Sequence, residues 1–283
     1  MSVRALLSVM FWALAWLTPA EATPRRIVSL NLCTDEILLD LVPHDRIAAV
    51  SHLAADPLVS TVAGRAAGLP VTRGEAESVL ALNPDLVLAG TFTTPATLEL
   101  LERVGQRVVR VPLASDIAGI RGAIAQVAAA VGEEAKGHAI VSAFDAAITA
   151  ARSVATSSLA PSALVYQVNG LSAGSGSLAD SVIRAAGLSN HATTLGIGAG
   201  GQLALEVLVA SPPDLVVLSG PADAYRTVVA DNLRHPALHS VLVQRQSVVV
   251  PWRLWLCGTH HVAEAVHILA EARDRLALSR GRP

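Results

Sequence analysis

A chain of 283 residues is long enough to bury a large core in one or two domains. Its formal net charge of −2 gives no electrostatic footprint for nucleic acid, and no basic cluster follows an apolar run, so membrane-surface binding has no support either. Hydrophobic residues make up 52% and aromatics only 3%; Ala, Leu and Val dominate, which is an α/β composition and not that of a membrane protein.

The first stretch is expected to be absent from the fold. Arg4 supplies a positive start, Ala5 to Leu17 an apolar core and Ala20-Glu21-Ala22 a small-x-small cleavage site, the pattern of a secretory signal. The apolar part is shorter than the roughly 20 residues that span a bilayer. Residues 1–22 are therefore read as a signal peptide, with a mature chain from Thr23 that is free in a periplasm, since no Cys stands at the cleavage point to take a lipid.

Residues 23–115 read as an N-terminal α/β lobe. Arg26 to Leu30 is a strand, Asn31 to Thr34 its exit loop, and Asp35 to Leu41 a helix with Thr34 as N-cap. Pro43 stops that helix before a second strand, Arg46 to Val50. His52 to Pro70 is loop-like with a short helical piece. A helix-Pro-strand phrase follows, with Asp85 to Ala89 as strand and Gly90 to Thr93 as exit loop. Pro95 to Val104 is an amphipathic helix ended by Gly105, and Arg107 to Val111 a further strand. Strands alternating with helices in this way predict βαβ units and a parallel sheet.

Residues 116–156 contain no strand pattern. Asp116 to Val131 reads as one helix ended by Gly132, and Glu133 to Ala155 as a second. The second would be about 33 Å long, enough to pass from one lobe to another as a rigid strut. Ser157 to Ser162 is a linker.

Residues 157–283 read as a C-terminal α/β lobe. Ala163 to Val168 is a strand, followed by a Gly-rich loop from Asn169 to Ser177 and a helix from Leu178 to Ala186. Asn190 to Gly201 is a second Gly-rich loop. The phrase then returns, Asp223 to Leu233 is helical, Ser247 to Val250 is the last strand and Pro251 to Gly258 its exit loop. His260 to Leu278 is a terminal helix.

The returning phrase is Glu77-Ser-Val-Leu-Ala-Leu-Asn-Pro-Asp-Leu-Val-Leu-Ala89 against Glu206-Val-Leu-Val-Ala-Ser-Pro-Pro-Asp-Leu-Val-Val-Leu218. Each copy places Glu eight residues before Asp. Two copies about 130 residues apart fit two similar lobes and not a solenoid. Helix-Pro-Asp-strand is also ordinary punctuation in α/β proteins; the matched Glu is what separates the two accounts.

Four further features carry chemistry. Gly174, Gly176 and Ala179 match G-x-G-x-x-A after a strand, but no acidic residue ends a following strand, so a flexible ligand-facing loop is the better account than dinucleotide binding. Cys257, His260, His261, Glu264, His267 and Glu271 are metal-ligand types; His260, Glu264, His267 and Glu271 share one helical face opposite Val262, Ala265, Val266 and Leu269, and a solvated polar face explains them as well. Cys33 and Cys257 are the two cysteines. In an oxidising compartment a disulfide is favoured over free thiols, and both sit in strand-exit loops, where they either bridge a cleft or line it. A nucleophilic Cys33 has no His close to it in sequence to serve as its base. Trp252 and Trp255 flank Arg253 in the last exit loop, either packed on the terminal helix or forming an aromatic wall for a large flat ligand, with Tyr166 and Phe92 placed to extend it.

These residues resemble the class III periplasmic binding proteins of ABC importers for ferric siderophores, haem and cobalamin. Arg26 to Leu38 is similar to that family's first strand, ligand loop and helix, Glu77 to Val87 to its N-lobe signature, and Gly174 to Ser177 to its C-lobe loop. The resemblance implies two Rossmann-like α/β lobes joined by a long rigid helix, with a ligand cleft between them. It further implies a binding protein, not an enzyme, monomeric and without a cofactor, that delivers a metal chelate, corrinoid or siderophore, to an inner-membrane permease. Glu77 and Glu206 match the positions that dock into permease arginines. The expected ligand contacts are Asn31, Leu32, Cys33, Thr34, His52, Phe92, Tyr166, Trp252, Arg253 and Trp255. The alternatives are a periplasmic metal-ion or haem binder using Cys and His residues, or a secreted hydrolase.

Overall fold

The computed structural model describes residues 23–153, 160–220 and 231–280. The signal segment, the first half of the expected linker and most of the helix expected at Asp223 to Leu233 lie outside the described residues.

The N-terminal sheet has five parallel strands: β1 (Ile27–Ser29), β2 (Ile47–Ser51), β3 (Val71–Thr72), β4 (Leu86–Gly90) and β5 (Val108–Val111), in the order β3-β2-β1-β4-β5. Ile27, Val28, Leu86, Val87 and Leu88 are all fully buried. That is why β1 and β4 are continuous aliphatic runs without alternation: both faces are covered by helices. The covering helices in this half are α1 (Leu32–Leu41), α2 (Ala63–Ala66), α3 (Ala76–Ala81) and α4 (Pro95–Arg103).

Helix α1 begins earlier than the sequence suggests, and its cap is Asn31, not Thr34. Asn31 is extended, at φ −145° and ψ 136°, and its Oδ1 accepts from Cys33 N at 3.0 Å. Thr34 turns its hydroxyl back, donating to Asn31 O at 2.8 Å and pairing with Ser29 Oγ at 2.7 Å. Either side chain can cap a helix. The Ser29 hydroxyl at the end of β1 takes up Thr34 and leaves the cap to Asn31, so the expected exit loop becomes the first turn.

Two helices form the centre: α5 (Ile117–Val131), capped by Asp116 Oδ1 on Gly119 N at 2.7 Å, and α6 (Glu134–Ser153). Gly132, in the left-handed region at φ 71°, closes α5 and turns the chain back along it. A Cβ on Gly137 would lie 2.4 Å from Ala128 Cβ, so a glycine is what lets the two helices meet this closely.

The C-terminal half holds β6 (Ser162–Val165), a two-residue β7 (Leu171–Ser172), α7 (Leu178–Ala185), β8 (Ser189–Asn190), α8 (His191–Thr194), β9 (Gly201–Gln202), α9 (Leu205–Ala210), β10 (Leu215–Leu218), α10 (Asp231–Arg234), α11 (Pro236–Gln244), β11 (Gln246–Val249) and α12 (Val262–Arg280). Four of its strands are parallel in the order β11-β10-β6-β8, while β7 and β9 pair antiparallel outside that sheet. Each copy of the repeated phrase supplies the same parts in the two halves: a short helix, α3 or α9, then a central strand, β4 or β10. Its Asp does equivalent work in each. Asp85 accepts from Arg25 N at 2.6 Å and Arg26 N at 3.0 Å, and Asp214 accepts from Ser162 N at 2.8 Å and Ser162 Oγ at 3.0 Å. In both halves that carboxylate fastens the start of the neighbouring strand.

The result is a two-lobed α/β fold joined through helices. The α6 helix is not the sole link. It packs on α5, α7 and α12, Lys136 Nζ at its start donates to Leu41 O at 3.0 Å, and the buried Arg273 of α12 donates to Ala151 O and Ala186 O. One continuous set of buried side chains runs from Ile27 and Leu38 through Ile124 and Phe144 to Val182 and Val266. The lobes therefore share a core.

Candidate functional site

In a sheet of order β3-β2-β1-β4-β5 the connections reverse direction between β1 and β4, and in β11-β10-β6-β8 they reverse between β6 and β10. Ligand crevices in open α/β sheets lie outside the carboxyl ends of strands at such points. Cavities stand at both. On the N-terminal side a cavity of about 220 Å³ is lined by Asn31, Leu32, Ser51, His52, Arg73 and Phe92, among others. On the C-terminal side two cavities of about 180 and 260 Å³ share Gln167 and Trp252 in their walls; the larger also touches Leu171, Ser177 and Trp255, the smaller Tyr166 and Ser219.

The expected contact residues divide accordingly. Asn31, Leu32, His52 and Phe92 meet at the first cavity, and Tyr166, Trp252 and Trp255 at the other two. Phe92 is 78% exposed and Trp252 38%, apolar surface of the kind that marks a contact face. Trp255 is nearly buried, and its Nε1 has no hydrogen-bond partner, whereas a buried indole N–H usually finds one. Tyr166 is 1% exposed and forms the floor of its cavity. Thr34 is as deeply buried and committed to Ser29 and Asn31. Cys33, Thr34 and Arg253 line none of these three cavities.

Sequence reasoning missed Arg73, Gln167 and Ser219. Gln167 Nε2 donates to Ser219 Oγ at 2.9 Å across the reversal between β6 and β10. The readable signal was position: each follows closely on a strand end, where side chains face the crevice.

Glycine serves packing here. A Cβ on Gly90 would lie 2.5 Å from the Asn31 side chain, and one on Gly174 2.0 Å from Ile197 O. Gly174 N donates to Gly198 O at 2.8 Å, and Ser177 Oγ accepts from Asp180 N at 3.0 Å as the cap of α7. The G-x-G-x-x-A stretch thus holds two loops together and leaves no open cradle at Gly174 for a phosphate.

Cys33 and Cys257 are joined in a disulfide, their Cα atoms 5.1 Å apart. The bond links the first turn of α1, beside the N-terminal cavity, to the loop that carries Trp252 and Trp255. Gly258 follows, where a Cβ would lie 2.5 Å from Ala114 O. Thr259 Oγ1 then donates to Glu36 Oε2 at 2.9 Å, and His260 and His261 each place Nε2 3.1 Å from Asp40 Oδ2. His260 therefore leaves the polar face expected for it, because α12 starts only at Val262; Glu264, His267 and Glu271 stay exposed, with His267 Nε2 3.1 Å from Glu271 Oε1.

Three carboxyls of α1 feel this junction differently. Burial pushes the Asp35 carboxyl up to about 7, against hydrogen bonds from Ser29 and Ser51. Burial also raises Glu36, against bonds from Thr61 and Thr259. For Asp40 burial acts upward too, but His260, His261 and Arg65 together hold it well below the usual carboxylate range.

Glu77 and Glu206 are both exposed and both occupy the second position of their helices, α3 and α9. Glu77 follows three residues after Gly74, which lines the N-terminal cavity. Glu206 follows β9, which pairs through Gln202 with the cavity-lining Leu171. The two exposed carboxylates thus follow, three and four residues on in sequence, Gly74 at the N-terminal cavity and Gln202 paired with Leu171. Among the described residues no helix is long and apolar enough to cross a membrane.

The family model described as periplasmic binding protein matches residues 27–246. A cobalamin-binding protein of Halobacterium salinarum is 27% identical over 267 residues, covering 91% of this chain and 69% of that protein. Among solved structures, the periplasmic haem-binding protein RhuT from Roseiflexus sp. RS-1, in apo form, superposes with a TM-score of 0.75 at 26% identity, covering 89% of this chain and 99% of that one. The periplasmic vitamin B12 binding protein BtuF of Vibrio cholerae gives 0.68 at 17% identity, covering 90% and 98%, a likeness of fold.

Proposed function

The chain belongs to the periplasmic binding protein family, and from that premise we propose that it is the substrate-binding component of an ABC importer, capturing a metal chelate of the corrinoid class in the periplasm and handing it to a membrane permease. The observation that carries the ligand class is the split character of the strand-end cavities. One side presents Trp252 and the unpartnered Trp255 indole, the other Asn31, His52, Arg73 and the exposed Phe92. A chelate brings its metal already coordinated, so its receptor needs apolar area, shape and a few well-placed polar groups. The similarity to a cobalamin-binding protein over 91% of this chain supports the corrinoid over the siderophore.

Haem capture is the second reading, favoured by His52, whose imidazole stands at the N-terminal cavity where it can meet an iron. Cysteine ligation has no part in it, since both sulfurs are bonded to each other. In either case the protein binds stoichiometrically and releases its ligand unchanged. Glu77 and Glu206 flank the mouth and pair with arginines of the permease, a use that explains why the phrase is repeated at all.

Tryptophan fluorescence separates the ligands. In the mature chain from Thr23 the tryptophans are Trp252 and Trp255, so quenching reports the cavity directly. Cobalamin should quench saturably at one equivalent, and Trp252→Ala should weaken binding. Saturation by haem with none by cobalamin would move the assignment to haem, and turnover of a bound chelate would overturn the binding-protein reading.

A further inference from the structure

Asp40, His260 and His261 bring three ligand atoms within 4.8 Å of one another, in a place the cavities do not reach. Asp40 lies in the last turn of α1, about 12 Å along the helix from the cavity-lining Leu32. All three side chains are largely buried, with exposures of 18%, 18% and 23%.

The geometry is close to that of a coordination site. Both Nε2 atoms stand 3.1 Å from the same oxygen, Asp40 Oδ2. Two ligands each at about 2.0–2.1 Å from a tetrahedral zinc lie roughly 3.3 Å apart, so both Asp40–His separations already suit an ion, and the third falls within 4.8 Å. Arg65 holds the other oxygen, Oδ1, as an outer partner that orients a ligating carboxylate. The imidazole rings are 4.2 Å apart at their centroids, and His260 Nδ1 is buried without a partner, so Nε2 carries what holds that ring.

Two imidazoles and one carboxylate are a donor set that suits Zn²⁺, and the neighbouring Thr259 Oγ1 is held to Glu36 Oε2 at 2.9 Å, which fixes the segment bearing both imidazoles against α1. We propose that Asp40, His260 and His261 form a binding site for a late first-row divalent cation, Zn²⁺ by donor type, which clamps the start of α12 to the end of α1 at the junction of the two lobes. With three protein ligands the fourth position is left to water.

The full mature chain, prepared without a histidine tag and stripped by chelator, should take up one equivalent of Co²⁺ with the visible absorption of a tetrahedral site. Zn²⁺ should displace it and raise the melting temperature. His260→Gln, His261→Gln and Asp40→Asn should each weaken Zn²⁺ binding by more than the roughly 10- to 100-fold that loss of an outer partner costs. His267→Gln, on the exposed face of α12, should leave binding unchanged. Should a variant fail to fold, the wild-type chain still answers: Zn²⁺ should protect His260 and His261 from diethyl pyrocarbonate, as mapped by mass spectrometry. Absence of Co²⁺ absorption, equal modification with and without Zn²⁺, or loss of binding in His267→Gln alone would each overturn the proposal.

Discussion

Replacing both Cys33 and Cys257 by Ala removes a bond that spans 224 residues and so encloses nearly the whole fold. In the chain-entropy treatment, opening a loop of that length frees about 5 kcal/mol of entropy in the unfolded chain. Measured losses usually fall below this limit, and 2–5 kcal/mol is the typical range for a native disulfide. Cys257 is 2% exposed, which is why Ala is the better replacement: a buried Ser hydroxyl would add its own desolvation. Urea unfolding should therefore show a loss of about 2–5 kcal/mol with a steeper slope, because the opened unfolded chain is less compact, and melting should fall by roughly 10 °C. Tryptophan emission follows the Trp252–Trp255 loop and far-UV circular dichroism follows the helices. Because the two lobes share one core, both probes should give the same transition before and after the substitution. A loss under about 1 kcal/mol, far below the expected range, or two separate transitions in the oxidised protein would refute the reasoning.

Glu77→Ala and Glu206→Ala should leave chelate affinity intact and stability within about 0.5 kcal/mol, as for other exposed sites, while reducing permease-coupled uptake, most in the double variant; lost affinity would place them in the cleft. Asp35→Asn should flatten the pH dependence of stability. Burial raises the folded-state carboxyl above its ordinary 3.8 to about 7, so its contribution is fully present below pH 3.8 and fades as pH rises toward 7. Wild type should thus lose up to about 1.4 kcal/mol per pH unit relative to Asp35→Asn across that window; parallel curves would contradict it. Small-angle scattering should show little contraction on ligand addition, since packed helices and a shared core permit only small sliding motions, and a large change would count against the shared core.

Much of the fold was legible because its signals are local. Gly132 ends α5 where the sequence placed it, and the helix read as starting at Asp116 starts one residue on, with Asp116 as its cap; an Asx N-cap and a left-handed glycine are properties of single residues. The repeated Glu and Asp were legible as repetition, and the structure gives the Asp its physical reason in Asp85 and Asp214. What escaped depends on neighbours distant in sequence. Thr34 and Asn31 compete for one cap, and the choice falls to Ser29. The strands β3, β7, β8 and β9 have two residues each and carry no periodicity. Helix α11 did announce itself, with Pro236 at its first position and His235 Nδ1 accepting from Ala237 N at 3.1 Å, a proline-start signal that reading for aliphatic runs passed over.

The junction was legible in half. Helix α1 buries Leu32, Ile37, Leu38, Leu39 and Leu41, yet it also carries Cys33, Glu36 and Asp40, at spacings of three and four that put them on one face. Charged groups on a helix this apolar must be paired when buried, so the stripe demanded partners without naming them. They lie more than 200 residues on: Cys257 meets Cys33, Thr259 meets Glu36, and His260 and His261 meet Asp40. Folding constrains every one of these residues, because a wrong type would leave a buried charge or a free sulfur. It places far weaker demands on Phe92, His52 or Trp252, which stand exposed at strand ends. The residues that fix the two lobes against each other are thus dictated by packing, whereas those at the mouths of the strand-end cavities are free of it, so packing does not announce them in the sequence.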